Sequence, residues 1–82
     1  MDWDDLKLLL QVSRNPKLAE ASARVGQDAT TISRRLRKLE KDLGLTLFER
    51  TRRGHVLTPD GLEVARRAEQ IEQSAIEIGA LA

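Results

Sequence analysis

The segment from residue 28 to residue 43 constrains the fold more than any other part of this sequence. At about 100° per residue, its large apolar side chains share one narrow arc of a helix and predict a face that packs on a core: Ile32, Leu36, Leu39 and Leu43. The opposite arc carries short hydroxyls and cations: Thr30, Arg34, Arg37 and Lys41, flanked by Thr31 and Lys38. Such a face is typical of a helix in the major groove of DNA, and the alternative is an ordinary charged face exposed to solvent.

A shorter helix and a tight turn are predicted before this segment. Mostly small side chains recur at helical spacing on one face of the short helix, which lets a neighbouring helix approach closely: Leu18, Ala21, Ser22 and Val25. Gly26 suits the positive φ angle that often follows a helix, and Asp28 suits the N-cap of the next one. This order predicts a helix-turn-helix motif, with a generic helical hairpin as the alternative.

An amphipathic helix is also predicted at the beginning of the chain, capped by Asp2 and ended before Pro16. Its predicted core face consists of Trp3, Leu6, Leu9, Leu10 and Ser13. After the long helix, two short strands joined by a turn at residues 51–54 form a predicted hairpin. Cations lie on or near its tip: Arg50, Arg52, Arg53 and His55. A hairpin beside a helix-turn-helix is a wing, whose cations contact phosphates or reach the adjacent minor groove.

The last predicted helix begins with Thr58 as its N-cap and Pro59 in its first turn. Apolar residues then recur at heptad spacing: Val64, Ala68, Ile71, Ala75, Ile78 and Ala82. A helix of about 23 residues is roughly 34 Å long, which exceeds what so small a domain covers. We therefore predict a dimer interface along this face, with coverage of the chain's own core as the alternative. The uncapped end of the helix suggests that the natural protein continues.

Charge is spread unevenly along the chain, although the net charge is only +1. Residues 34–58 carry eight basic and three acidic side chains, whereas the segments on both sides are net acidic. A positive middle predicts a polyanionic partner, and chance clustering in a charged protein is the alternative.

The composition argues against an enzyme. A chain of 82 residues has little room for a catalytic pocket, and it contains no Cys and a single His. We therefore expect no catalytic site, no metal and no cofactor. No apolar run is long enough to span a membrane and no signal peptide precedes the first helix, so we expect no membrane partner and a cytoplasmic, nucleoid-associated location.

With these motifs in place, the sequence resembles the amino-terminal DNA-binding domain of the LysR-type transcriptional regulators. The resemblance covers nearly the whole chain and is strongest at residues 32–44, 47–51 and 57–61. It implies a mainly α winged helix-turn-helix, with three helices and a two-stranded wing, at residues 1–58. A long linker and dimerisation helix would follow at residues 59–82. It further implies a bacterial regulator whose small-molecule effector binds a domain absent from these 82 residues.

The resemblance also assigns the DNA contacts. Those at the start of the long helix are Asp28, Ala29, Thr30 and Thr31. Those further along it are Ser33, Arg34 and Lys38, and those in the wing are Arg50, Arg52 and Arg53. The sequence departs from the family at residues 28–30, where a Ser-Gln-Pro run is common. Ala29 cannot form the two hydrogen bonds to adenine that a Gln forms, and Gln27 replaces a usually apolar turn residue.

We interpret Thr30, Thr31 and Arg34 as contacts to base edges. The expected phosphate or minor-groove contacts are Ser33, Arg35, Arg37, Lys38, Arg52 and Arg53. The predicted function is therefore sequence-specific binding of double-stranded DNA by a homodimer. A winged-helix module that only dimerises or binds another protein is the alternative, but it would not need cations on both the long helix and the wing.

Overall fold

Four helices and a two-stranded hairpin follow one another in the computed structural model, which describes residues 1–81. The helices are α1 (Trp3–Arg14), α2 (Leu18–Val25), α3 (Ala29–Leu43) and α4 (Pro59–Gly79). The strands β1 (Phe48–Thr51) and β2 (Gly54–Leu57) lie between α3 and α4. This order confirms the predicted mainly α winged helix-turn-helix that ends in a long helix. Ala82, the last residue of the predicted dimer interface, lies outside the described residues.

Three helices begin at the residues that the sequence predicts as N-caps. The side chain of Asp2 accepts a hydrogen bond from the Asp5 backbone N–H, and the Asp5 side chain accepts one from the Asp2 backbone N–H. Asp28 caps α3 and Thr58 caps α4 in the same manner, each accepting from a backbone N–H three residues later. Each cap satisfies a donor that the first helical turn leaves without a partner, so local sequence determines where these helices start.

Helix α1 is the centre of the core because two of its faces are buried. One face carries Leu6, Leu9 and Leu10, which pack in a cluster with α3, α4 and the start of the wing. The other face carries Leu8 and Val12, which pack in a second cluster with α2 and α3. The sequence-based prediction of a single core face was therefore incomplete. A helix enclosed between neighbours on two sides is apolar over a wider arc than the stripe of a surface helix.

The predicted core face of α3 is confirmed. Ile32, Leu36 and Leu39 are buried, and Leu43 packs against the same core while half-buried. Helices α2 and α3 both end at a glycine in the left-handed region, Gly26 with φ +77° and Gly44 with φ +68°. Glycine adopts this conformation without the penalty that a β-carbon brings, so both helices stop where the sequence predicts.

The wing is an antiparallel hairpin whose turn is formed by residues 52–53. Arg50 lies opposite His55 in the strand register. The backbone N–H of His55 donates to the Pro16 carbonyl oxygen at 2.8 Å. From the other side, the Glu40 carboxylate of α3 accepts from the backbone N–H groups of Leu47 at 2.7 Å and Phe48 at 3.3 Å. The wing therefore has a defined position relative to α3.

Helix α4 divides into a half that covers the core and a second half, residues 71–79, whose apolar side chains are exposed and which we call the projecting half. Glu72 still connects this half to α1 through its salt bridge with Arg14. Ala68 is only 1% exposed in the core, and Val64 is half-buried against the same cluster. The prediction that Ala68 lies at a dimer interface is therefore wrong, because its side chain is covered by its own chain. Ile71, Ala75 and Ile78 are exposed. No helix within residues 1–81 has the length and apolar character to cross a membrane.

Replacing Gly61 by Ala should destabilise the protein. A β-carbon at Gly61 would lie 2.1 Å from the carbonyl oxygen of Leu47, so the backbone of α4 or of the wing must move. We expect a loss of about 1–3 kcal/mol in the free energy of unfolding, measured by urea denaturation. Gly79→Ala is the matched control, because a β-carbon there meets nothing within 4 Å and alanine favours a helix. Equal stability of the two variants would contradict the described packing of α4 on the wing.

Candidate nucleic-acid interface

The outer face of α3 and the wing together form one exposed surface. A shallow cleft of about 490 Å³ brings together residues of α2, α3 and β1: Leu18, Ala29, Thr30, Ser33, Arg34, Arg37 and Arg50. A smaller hollow beside it is lined in part by Ser33, Arg37, Arg50 and His55. The structure thus gathers predicted contacts from α3 and from β1 around a single surface: Thr30, Ser33, Arg34, Arg37 and Arg50. We call this surface the cationic face, and we include in it the exposed arginines of the adjoining wing turn, Arg52 and Arg53.

The arginines of the cationic face have no carboxylate partner among residues 1–81. Arg34, Arg37, Arg50, Arg52 and Arg53 form no salt bridge there. Most of the other arginines do pair with carboxylates: Arg14 with Glu72, Arg35 with Asp5, and Arg66 and Arg67 with Glu63. Arg24 on α2 is the exception within residues 1–81, since it too is exposed and forms no salt bridge. The five arginines of the cationic face are all exposed residues. Guanidinium groups in this state are available for phosphate oxygens or for the edge of a guanine.

Asp28 combines a structural role with a negative charge at the start of α3. Its carboxylate accepts a hydrogen bond from the Thr31 backbone N–H at 2.8 Å. Hydrogen bonds from Thr31 hold the pKa of Asp28 below its usual value, with a smaller contribution from the charge of Arg34. The group is therefore ionised at neutral pH. A fixed carboxylate here repels phosphates, but it can accept a hydrogen bond from the amino group of cytosine.

Three predicted contact residues lie away from the centre of the cationic face. Arg35 points towards α1, where its guanidinium contacts Gln27 and Asp5, and its side chain is 27% exposed. This placement argues against the predicted contact between Arg35 and a phosphate. Thr31 is half-buried. Lys38 pairs with Asp42 at 3.3 Å, although its side chain remains 72% exposed and thus accessible to a ligand.

His55, which the sequence places near the tip of the wing, lines the smaller hollow together with Arg37 and Arg50. Its ring packs edge-on against Phe48, with ring centroids 6.0 Å apart. Burial and the charge of Arg50 lower the pKa of His55, so the ring is neutral near pH 7. The hairpin register explains its place beside Arg50, because a turn at residues 52–53 puts residue 55 opposite residue 50.

A positive surface made of a helix and a wing defines a winged helix-turn-helix of the nucleic-acid-binding type. The family profile described as "Bacterial regulatory helix-turn-helix protein, lysR family" matches residues 3–62. The chain therefore belongs to the lysR family of bacterial regulatory helix-turn-helix proteins. This family consists of transcriptional regulators, which confirms the expectation that the chain is not an enzyme.

Individual relatives are similar over most of this chain. The HTH-type transcriptional regulator ClcR of Pseudomonas putida is 39% identical over 70 residues, which cover 82% of this chain and 24% of ClcR. The HTH-type transcriptional regulator YofA of Bacillus velezensis is 33% identical over 73 residues, which cover 89% of this chain and 25% of YofA. The chain thus spans about a quarter of the length of these curated relatives.

Solved structures share the fold. The crystal structure of a CbnR_DBD-DNA complex superposes with a TM-score of 0.87 at 32% sequence identity. The likeness covers 98% of this chain and 92% of that chain. The described fold, including the wing and the long last helix, is therefore one that has been crystallised together with DNA.

Substitutions at Asp28 should separate its capping role from its charge. Asp28→Ala removes the hydrogen bond to Thr31 and should lower the urea midpoint of unfolding. Asp28→Asn keeps an accepting oxygen and should therefore keep most of the stability that the cap contributes. Because folding lowers the pKa of Asp28, the stability that its charge contributes is present above the unfolded pKa and is lost as the pH falls through the folded pKa.

The Asp28→Asn variant also tests how the charge of Asp28 affects the affinity for DNA, a polyanion. Asp28→Asn should bind a random DNA duplex more tightly than the unsubstituted protein, because a fixed negative charge is gone. Fluorescence anisotropy measures this affinity. Unchanged affinity of Asp28→Asn at low salt would mean that Asp28 lies outside the DNA interface.

Proposed function

We propose that this chain binds specific sequences of double-stranded DNA as part of a bacterial LysR-type transcriptional regulator. Helix α3 would lie in the major groove, with Thr30, Thr31 and Arg34 directed at base edges. The wing would lie on the adjacent backbone or minor groove. The observation that carries this proposal is the set of arginines without carboxylate partners, which two separate elements contribute to one surface.

The geometry accounts for both parts of DNA recognition. Arg34 is placed near the first turns of α3, where its guanidinium can donate two hydrogen bonds to a guanine. Ser33, Arg37 and Lys38 would contact phosphates beside the groove, and Arg50, Arg52 and Arg53 would contact the neighbouring backbone. Phosphate contacts set the position of the protein, and base contacts select the sequence. The 32%-identical CbnR_DBD, which was crystallised with DNA, supports this mode of binding.

The alternative function, a module that only dimerises or binds proteins, explains less of the surface. Apart from Leu18 and Ala29, the cleft on the outer face of α3 is lined by hydroxyls and guanidiniums. The core of a protein–protein interface is, by contrast, depleted in charged residues. Clustered arginines without partners repel one another and lower stability unless a ligand neutralises them. A polyanion supplies that neutralisation.

We further propose that two copies of the chain pair through the projecting half of α4. Ile71 and Ile78 are 44% and 68% exposed, and Ala75 lies between them at heptad spacing. Val64 would extend this surface only in part, because it already packs on its own core. In a two-fold dimer, the two α3 helices would reach half-sites about 34 Å apart, or a multiple of that distance.

The remainder of the regulator is proposed from the family alone. The relatives are about four times as long as this chain, so a small-molecule effector would act through a domain outside these residues. A regulator that reads DNA in a bacterium would work in the cytoplasm, at the nucleoid.

Two arginine substitutions should distinguish base contacts from phosphate contacts. Arg34→Ala should weaken binding to a duplex selected by the protein by roughly 1–3 kcal/mol while changing random-duplex affinity less. Arg52→Ala should weaken both duplexes equally and reduce the salt dependence by about one phosphate contact. Anisotropy titrations at two salt concentrations measure both effects.

The control for this experiment is Arg66→Ala, which removes a cation that pairs with Glu63 on α4. It should change neither affinity. Equal losses on selected and random DNA for Arg34→Ala would reject Arg34 as a base contact. Absence of binding to any duplex by the unsubstituted protein at low salt would reject the DNA-binding function itself.

A charge on the projecting half of α4 should dissociate the proposed dimer. Ile78→Asp is expected to shift the chain from dimer to monomer in sedimentation velocity, because a carboxylate would be buried against an apolar partner. Ile76→Asp is the matched control, because Ile76 is similarly exposed at 60% but lies off the heptad positions of Ile71, Ala75 and Ile78. A dimer that persists in Ile78→Asp would contradict the proposed interface.

A further inference from the structure

Arg35 connects three parts of the protein that meet at the start of α3. Its Nη1 atom donates to the side-chain oxygen Oε1 of Gln27 at 2.9 Å. Its Nη2 atom lies 3.6 Å from Oδ1 of Asp5 in α1. One guanidinium therefore joins the second turn of α3, the turn of the helix-turn-helix and the first turn of α1.

Both partners of Arg35 are themselves held in place. The backbone carbonyl oxygen of Gln27, a different atom from the side-chain oxygen that Arg35 contacts, accepts a hydrogen bond from the hydroxyl of Ser22 in α2. Asp5 belongs to the reciprocal cap of α1, in which its carboxylate accepts from the Asp2 backbone N–H at 3.1 Å. Arg35 therefore contacts two segments whose backbones are anchored by other hydrogen bonds. Reaching a phosphate would require Arg35 to leave both of them.

Gln27 immediately precedes Asp28, whose carboxylate caps α3. The residues that follow, Ala29, Thr30 and Thr31, are those proposed to face the bases. A contact that fixes Gln27 therefore fixes the segment from which the base-reading turn begins. Misplacement of such a turn by about 1 Å is sufficient to spoil directional hydrogen bonds, while leaving non-directional phosphate attraction almost intact.

We propose that Arg35 is a positioning residue for sequence recognition: through Gln27 and Asp5 it orients the first turn of α3 without touching DNA. This inference rests on the proposed DNA-binding function. It assigns to Arg35 a role opposite in kind to that of Arg37, which lies two residues later on the cationic face and has no salt bridge within residues 1–81.

The proposal is tested by comparing Arg35→Ala with Arg37→Ala on selected and random duplexes at several salt concentrations. Arg35→Ala should lower the ratio of selected to random affinity by about 5- to 20-fold, with an unchanged salt slope. Arg37→Ala should lower both affinities together and reduce the slope by about one. A merely structural role would lower the thermal midpoint without changing the affinity ratio.

Two further variants address the route through Gln27. Arg35→Gln retains an amide donor for Gln27 but no charge, so it should recover part of the affinity ratio. The double variant Gln27→Ala/Arg35→Ala should have nearly the same affinity ratio as Arg35→Ala, because both substitutions remove the same contact between Arg35 and Gln27. In the DNA-free protein, hydrogen exchange of the Thr31 amide, which donates to Asp28, should be faster in Arg35→Ala.

The outcomes separate this inference from the proposed function. A reduced salt slope with equal losses on both duplexes in Arg35→Ala would identify a direct phosphate contact and overturn the positioning role. An unchanged affinity ratio in Arg35→Ala would also overturn it, because the contacts of Arg35 would then be merely structural. If the unsubstituted protein prefers no selected duplex, the proposed function is rejected first. Faster Thr31 exchange in Arg35→Ala would then show that Arg35 orients α3 without any role in recognition. That result would overturn this inference as well.

Discussion

Burial of α1 on two faces is the constraint on which the rest of the structure depends. Leu9 and Val12 have no exposed surface, yet they pack in different clusters, which meet along one wide apolar arc of the helix. One cluster holds α4 and the wing, and the other holds α2. Because α3 contributes to both, its apolar face is restrained from two directions, and its outer face keeps one orientation. Apolar burial of this kind supplies most of the stability of a small domain.

Polar contacts then set the fine geometry of the surface that the core presents. Glu40 binds two backbone N–H groups at the start of the wing, while His55 binds the carbonyl oxygen of Pro16. The wing is thus tied to α3 on one side and to the loop between α1 and α2 on the other. Arginines from both elements come close together as a result, and their mutual repulsion is tolerated because the scaffold beneath them is packed.

Much of this arrangement could be predicted from the sequence, because it depends on interactions between neighbouring residues. Asp28 and Thr58 cap their helices within three residues, and Gly26 ends α2 through its own backbone freedom. Ala68 and Arg35 were misjudged for a common reason. Heptad spacing puts Ala68 on an apolar stripe, and charge puts Arg35 among the cations, but neither pattern says which neighbouring helix covers that side.

The sequence by itself determined the order of the elements, their ends and the side chains available to the outer face of α3, since periodicity and capping act over a few residues. Only the tertiary structure decided that α1 is buried on two faces, that α4 uses Ala68 for its own core, and that Arg35 turns towards Gln27. These outcomes depend on which helices, distant in sequence, pack against a given side chain. Such contacts form only when the chain is folded, so a pattern of neighbouring residues does not specify them.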